Sequence, residues 1–190
     1  MANELLDVVD NDDIVIGREM RSVVHQRGLQ HRGIHVFLFT PEGRLLIQRR
    51  SKDRATSPSL LDCSVSEHVQ AGEDFLTAAR RGMREELGLK GMEEIHEIVT
   101  FRMNYGFNDN QISRLFHGFI DPAMVQFDTV EIEEISYFTT AELLERVEAS
   151  NATFCRWFVQ MVQWATGKPS ELSVLKIQKN VHLPWLPIIK

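Results

Sequence analysis

The alternation of apolar and polar positions changes period several times along this 190-residue chain, and each change marks an element. Residues 5–9 and 14–17 flank the acidic turn Asp10-Asn11-Asp12-Asp13, the pattern of two short strands in a hairpin, and a helix is expected over 20–26. The run Ile34-His35-Val36-Phe37-Leu38-Phe39 is strongly β-prone. Thr40-Pro41-Glu42-Gly43 then turns the chain into a second run, Leu45-Leu46-Ile47, which makes this the clearest hairpin in the sequence. A polar, proline-interrupted stretch follows, and 62–69 reads as a short buried strand ending in the loop Gln70-Ala71-Gly72-Glu73.

The period then becomes helical. Phe75, Ala78, Ala79, Met83 and Leu87 recur by threes and fours, which predicts a helix over 74–87 with Gly88 ending it, while Arg81, Glu85 and Glu86 occupy another face. Strands are expected over 95–103, 113–120 and 134–138, with a Gly/Asn-rich connection over 105–110. Thr139 or Thr140 caps one further helix. A last helix, over 153–166, carries Phe154, Trp157, Phe158, Met161, Val162 and Trp164 as core. The tail beyond Gly167-Lys168-Pro169 includes the apolar, proline-broken VHLPWLPIIK, which is expected to pack on the domain or on a partner subunit of a homodimer.

Strands interleaved with a few helices, without regular βα alternation, predict an α+β sandwich with a mixed sheet. The length suits one core. Residues 1–30, the hairpin and first helix, are expected to belong to the same domain as 31–166, with 167–190 as a tail.

Composition narrows the partners. Apolar residues make up 43% of the chain, as in ordinary globular proteins, and the net charge of −6 argues against a protein that lives on nucleic-acid backbone. No apolar run is long enough for a membrane span, and the opening MANELLDVVDNDD is acidic where a secretory leader is basic, so a cytoplasmic protein is expected. Cys63 and Cys155 show neither zinc-ligand spacing nor a disulfide framework.

The segment EHVQAGEDFLTAARRGMREELGL, residues 67–89, resembles the Nudix box: glycine, five residues, glutamate, seven residues, then arginine, glutamate, an apolar residue, any residue, two glutamates, any residue, glycine and an apolar residue. Seven of its nine defined positions are met, by Glu73, Arg81, Met83, Glu85, Glu86, Gly88 and Leu89. Glu67 stands where the first glycine belongs, and Gly82 where the glutamate after the arginine belongs. The resemblance implies the Nudix fold, an α/β/α sandwich with a mixed β-sheet, whose helix holds Mg2+ or Mn2+ against a small-molecule diphosphate. Helix positions i and i+4 share a face, so carboxylates at 82 and 86 would hold the ion jointly through oxygen. Gly82 removes one of them. Glu86, Glu85 and Glu73 remain as metal ligands and catalytic carboxylates, with Arg81 placed to pair with Glu85. The metal site is then either weakened or rebuilt with an outside carboxylate such as Asp74, Glu67, Glu131 or Glu134.

Over roughly residues 5–150 the chain is also similar to the isopentenyl-diphosphate isomerase branch of that family and its hydrolase relatives, through HRGIHVFLFTPEGRLLIQRRSKDRATSPSLLDCSVSEHVQAGE. This likeness places His31 and His68 at metal-binding histidines and His25 within one residue of a third. It sets Arg50, Arg54 and His68 against the substrate. Ser66 stands where the isomerase has its catalytic cysteine, and a hydroxyl is a far poorer acid than a thiol. Cys63 lies three residues too early, and Gln111, Ser113 and Arg114 occupy the strand that carries paired glutamates in the isomerase. His35 and His117 read as structural, and Phe101, Tyr105 and Phe107 as core, with base stacking the second reading. The favoured function is a metal-dependent Nudix hydrolase acting on a nucleoside diphosphate derivative. An isomerase, or a nucleotide-binding protein whose catalysis went with Gly82, are the alternatives.

Overall fold

The computed structural model of the chain describes residues 4–90 and 94–179. Strands β1 (Leu5–Val9) and β2 (Val15–Met20) form the expected antiparallel hairpin, and α1 (Arg21–Arg27) follows, ended by Gly28 in the left-handed conformation. β3 (His31–Phe39) is the central strand. It pairs in parallel with β8 (Asn110–Phe119) along its whole length and antiparallel with β6 (Val65–His68).

The hairpin read most clearly from the sequence exists only at its turn. β4 (Leu45–Arg50) meets β3 at one pair, Phe39 with Leu45, and then leaves it to pair with β5 (Leu61–Asp62) and β9 (Ile132–Phe138). The reason is burial: β3 is apolar on both faces, and β8 and β6 take its two edges. The stretch expected as a single strand over 62–69 is broken between β5 and β6 at Cys63-Ser64, where the Ser64 hydroxyl bonds the Leu46 carbonyl at 2.7 Å and accepts from the Leu38 amide at 2.9 Å. β7 (His96–Asn104) pairs with β8, and β10 (Ser173–Ile177), which has no counterpart in the sequence reading, pairs with β7.

Successive β3 side chains face opposite layers. Ile34, Val36 and Leu38 pack with Ala78, Ala79, Met83 and Leu87 of α2 (Phe75–Leu87). Phe37 and Phe39 pack with Leu143 and Val147 of α3 (Thr140–Ala149) and Phe158 and Val162 of α4 (Arg156–Ala165). Helices thus cover both faces of a mixed sheet, the α/β/α sandwich of the Nudix fold. α4 starts later than expected, after a single 3-10 turn (Asn151–Thr153). The apolar tail VHLPWLPIIK lies outside the described residues. No helix among those described is long and apolar enough to cross a membrane.

Candidate active site

α2 is set by its ends. Asp74 caps it through the Thr77 amide at 2.8 Å, and Gly88, at φ 68°, closes it with its amide on the Arg84 carbonyl. This orients Arg81 inward, where it gathers the acidic residues around it. Its guanidinium donates to both oxygens of Glu73 at 3.1 Å, to Glu85 at 3.3 Å and to the His68 carbonyl at 2.7 Å, and lies 3.6 Å from Glu67. Glu73 also accepts from the Gln70 amide. Glu73 therefore braces the loop against the helix, and Glu85, about half exposed, completes the expected Arg81 pair.

The two departures from the Nudix box meet in space. A Cβ on Gly82 would come within 2.6 Å of a Val65 methyl and 3.1 Å of the Glu67 side chain, so the missing side chain at 82 leaves the room that Glu67 fills. Beneath it Glu86 is buried; one of its oxygens accepts from Gln48 at 2.7 Å, and the other has no partner among the described residues. Burial first, and the charge of Glu67 next, push the Glu86 carboxyl well above the usual range. Burial likewise lifts Glu67 to about 7. The Glu67 charge is felt at Glu86, so the two carboxyls lie near each other, and carboxylate oxygens are donors that a hard divalent ion accepts.

A second group lies nearby, where β3, β6 and α1 converge. His25, His31, His68 and Asp109 each offer one ligand atom, all within 4.8 Å of one another. The His31 Nδ1 faces the Leu29 carbonyl at 3.0 Å, and a carbonyl only accepts, so Nδ1 carries the proton and Nε2 presents a bare lone pair. That buried Nε2 has no hydrogen-bond partner among the described residues and lies 3.5 Å from Asp109. Burial keeps His25, His31 and His68 below the usual imidazole range, hence neutral and able to ligate. His25, His31 and His68 were candidates from the sequence; Asp109 was not. It stands in the connection read only as Gly/Asn-rich loop, two residues before Gln111, and no motif marks it.

Glu67 of the first group and His25, His68 and Asp109 of the second line one cleft, together with Arg21, Arg50, Arg54, Ser66, Tyr105, Glu131 and Trp157, with a volume near 80 Å3. Arg50 is held by Asp62 and the Thr56 carbonyl with its guanidinium 5.6 Å from the Trp157 ring, and Arg54 pairs with Glu131. Trp157, expected as core, is only partly buried and walls the cleft. Phe101 is core as expected, Tyr105 is buried at the cleft, and Phe107 is almost fully exposed. A larger open groove, about 1440 Å3, runs past Arg18, Arg32 and Arg114, which are paired with Asp7, Asp13 and Glu97 as Arg50 and Arg54 are paired in the cleft, so the arginines do not decide between the two. Volume favours that groove; the convergence of bare ligand atoms favours the cleft.

Ser66 lies opposite His35 across the β3–β6 ladder, its hydroxyl 2.9 Å from the imidazole Nδ1. Cys63 does not stand in for a thiol at this place: it is fully buried, its Sγ donates to the Val65 carbonyl at 3.2 Å, and burial raises its pKa far above the thiol range.

A sequence model of the NUDIX domain matches residues 29–158. The chain belongs to the NUDIX domain family. An isopentenyl-diphosphate Delta-isomerase of Streptomyces griseus subsp. griseus is 34% identical over 175 residues, 89% of this chain and 87% of that one. An uncharacterised Nudix hydrolase of Streptomyces coelicolor is 32% identical over 136 residues, 72% of this chain and 73% of its own. Among solved structures, that of DR0079 from Deinococcus radiodurans superposes with a TM-score of 0.65 at 28% identity, covering 77% of this chain and 90% of the other. Family and relatives together support a Nudix hydrolase.

Proposed function

We propose that this chain is a metal-dependent Nudix hydrolase that cleaves the diphosphate linkage of a nucleoside diphosphate derivative or a related small molecule. The observation that carries the reading is the convergence of the His25, His31, His68 and Asp109 ligand atoms beside a cleft that Glu67, arginines and a hydroxyl in place of a thiol also line. Glu86 and Glu67, with Glu131 beside them, suit Mg2+ or Mn2+, which prefer oxygen. His25, His31, His68 and Asp109 suit a second divalent ion. Bound ions would neutralise the diphosphate and lower the barrier to attack by water. Arg54 and Arg50 grip the phosphates, Glu85 is the exposed carboxylate able to accept a proton from water, and Glu73 keeps Arg81 and the helix aligned. The products would be a monophosphate and a phosphorylated remainder.

The histidine–aspartate group and the isomerase relatives favour a second reading, proton transfer on an isoprenoid diphosphate. Against it stand Ser66 at the acid position and the buried, committed Cys63. One experiment separates the two. Formation of nucleoside monophosphate is measured over nucleoside diphosphates, triphosphates and diphosphate-linked sugars with Mg2+ or Mn2+, for the intact protein, Glu86→Gln and a metal-free control, with isopentenyl diphosphate followed for isomerised product. Metal-dependent monophosphate formation lost in the variant supports hydrolysis; isomerised product without any diphosphate cleavage sinks it.

A further inference from the structure

From Ser66 an unbroken line of hydrogen bonds runs through the floor of the cleft. The Ser66 hydroxyl is 2.9 Å from His35 Nδ1, and His35 Nε2 is 3.0 Å from the Tyr105 hydroxyl. Tyr105 lies 2.8 Å from the Ser113 hydroxyl, Ser113 3.3 Å from Gln111 Oε1, and Gln111 Nε2 2.8 Å from Asp109 Oδ1. His35, Tyr105, Ser113 and Gln111 are all buried. Gly33 makes the line possible: a Cβ there would sit 2.1 Å from Gln111 Oε1 and 3.0 Å from the Ser113 hydroxyl.

The line has one direction. The Asp109 carboxylate only accepts, so Gln111 turns its NH2 toward it and its carbonyl oxygen toward Ser113. Ser113 must then give its proton to Gln111, and it accepts from Tyr105. Tyr105 has one proton, so its oxygen accepts from His35 Nε2. Burial holds His35 at about 4, hence neutral, and a neutral ring protonated at Nε2 has a bare Nδ1. Ser66 therefore donates to His35. The opposite tautomer would turn the Ser113 proton toward Tyr105 and leave Gln111 Oε1, inside the buried line, without its donor. Cys63, 3.9 Å from the same Nδ1, gives its proton to Val65 and does not compete.

We infer that Ser66 presents only lone pairs to the cleft and selects ligands whose organic part carries a hydrogen-bond donor, a hydroxyl or amino group, beside the diphosphate. This rests on the diphosphate reading of the cleft and narrows it to polar substrates. A hydrocarbon chain at Ser66 would leave a desolvated acceptor without a partner, a loss that hydrogen-bonding sites convert into strong discrimination. The cleft volume, near 80 Å3, admits one small end of a ligand, the rest lying toward its open mouth.

The test is calorimetric binding, with Mg2+, of a matched pair: 3-methylbutyl diphosphate and 3-hydroxy-3-methylbutyl diphosphate. The hydroxylated compound is expected to bind at least tenfold tighter to the intact protein. In Ser66→Ala that preference collapses to under about twofold while the 3-methylbutyl compound keeps its affinity. In the unliganded protein, imidazole 1H–15N correlations are expected to show His35 neutral and protonated at Nε2, a readout that needs no variant. Equal binding of the pair, or a His35 ring protonated at Nδ1, overturns this inference alone. Binding of neither compound while inorganic diphosphate still binds with Mg2+ overturns this inference alone; no binding of inorganic diphosphate either overturns it together with the diphosphate reading on which it stands.

Discussion

At single residues the chain trades two positions against each other. A side chain at 82 would meet Val65 and Glu67, so Gly82 and Glu67 fit each other sterically, and in the proposed metal site one carboxylate comes from β6 rather than from the helix. Glu67→Gln keeps the shape and removes the charge. We expect Mn2+ binding, followed by titration calorimetry, to weaken about tenfold or more, the scale on which perturbed metal sites respond, with the fold intact by circular dichroism. Unchanged Mn2+ affinity would remove Glu67 from the site. Gly33 makes a different demand, since even a methyl group there meets Gln111 and Ser113. Gly33→Ala should destabilise the protein by about 1–3 kcal/mol in chemical denaturation, as overpacking of interiors does. A cost near zero would mean that the buried hydrogen-bond line tolerates rearrangement.

Elements were legible where local physics decides them. The apolar spacing of 75–87 and the Gly88 stop are written within one helix, and both are found in place, while Asp74, read as the first helical residue, is instead its cap. The Thr139 cap of α3 is likewise local, and there Glu142 closes a capping box. Removing the α2 cap with Asp74→Ala should cost about 1 kcal/mol, read as a lower denaturation midpoint. Because that helix carries Arg81 and Glu86, the same change should weaken Mn2+ binding less than Glu67→Gln does. What stayed hidden depends on distant partners. The partners of β3 are chosen by which strands bury both of its edges, so the β3–β4 turn was visible but the divergence beyond it was not. β10 is an exposed strand that exists through pairing with β7, and its alternation alone does not announce it. The same limit applies to the site: histidines 25, 31 and 68 carried a resemblance, whereas Asp109 reaches them only because β8 runs parallel to β3, with Gln111 opposite His31.

For the whole molecule, the buried imidazoles and buried carboxylates set opposing responses to pH. His35 is held at about 4 against an ordinary value of 6.5, and His31 and His68 are lowered by the same burial. A base whose folded pKa is depressed gives up stability as pH falls, because the unfolded chain takes the proton first. Full stability from these groups is present above 6.5 and declines toward 4; for His35 alone the difference corresponds to about 3 kcal/mol. Glu67, lifted to about 7 from an ordinary 4.5, acts in the other sense. The folded state holds its proton between those limits, so this residue's contribution is greatest below 4.5 and falls as pH rises toward 7. Wild-type stability should therefore still rise between pH 5 and 7, because the lowered histidines outnumber the raised carboxyls Glu67 and Glu86, which offset only part of the trend. Glu67→Gln removes the falling component, and its stability should climb with pH across that window more steeply than wild type, by urea denaturation at several pH values. Parallel profiles for the two proteins would show that Glu67 is already ionised in the folded state without metal. Mn2+ discriminates further: by favouring ionised Glu67 and neutral histidines it should stabilise the wild type more at pH 7 than at pH 5, since protons compete with the ion at both donor sets.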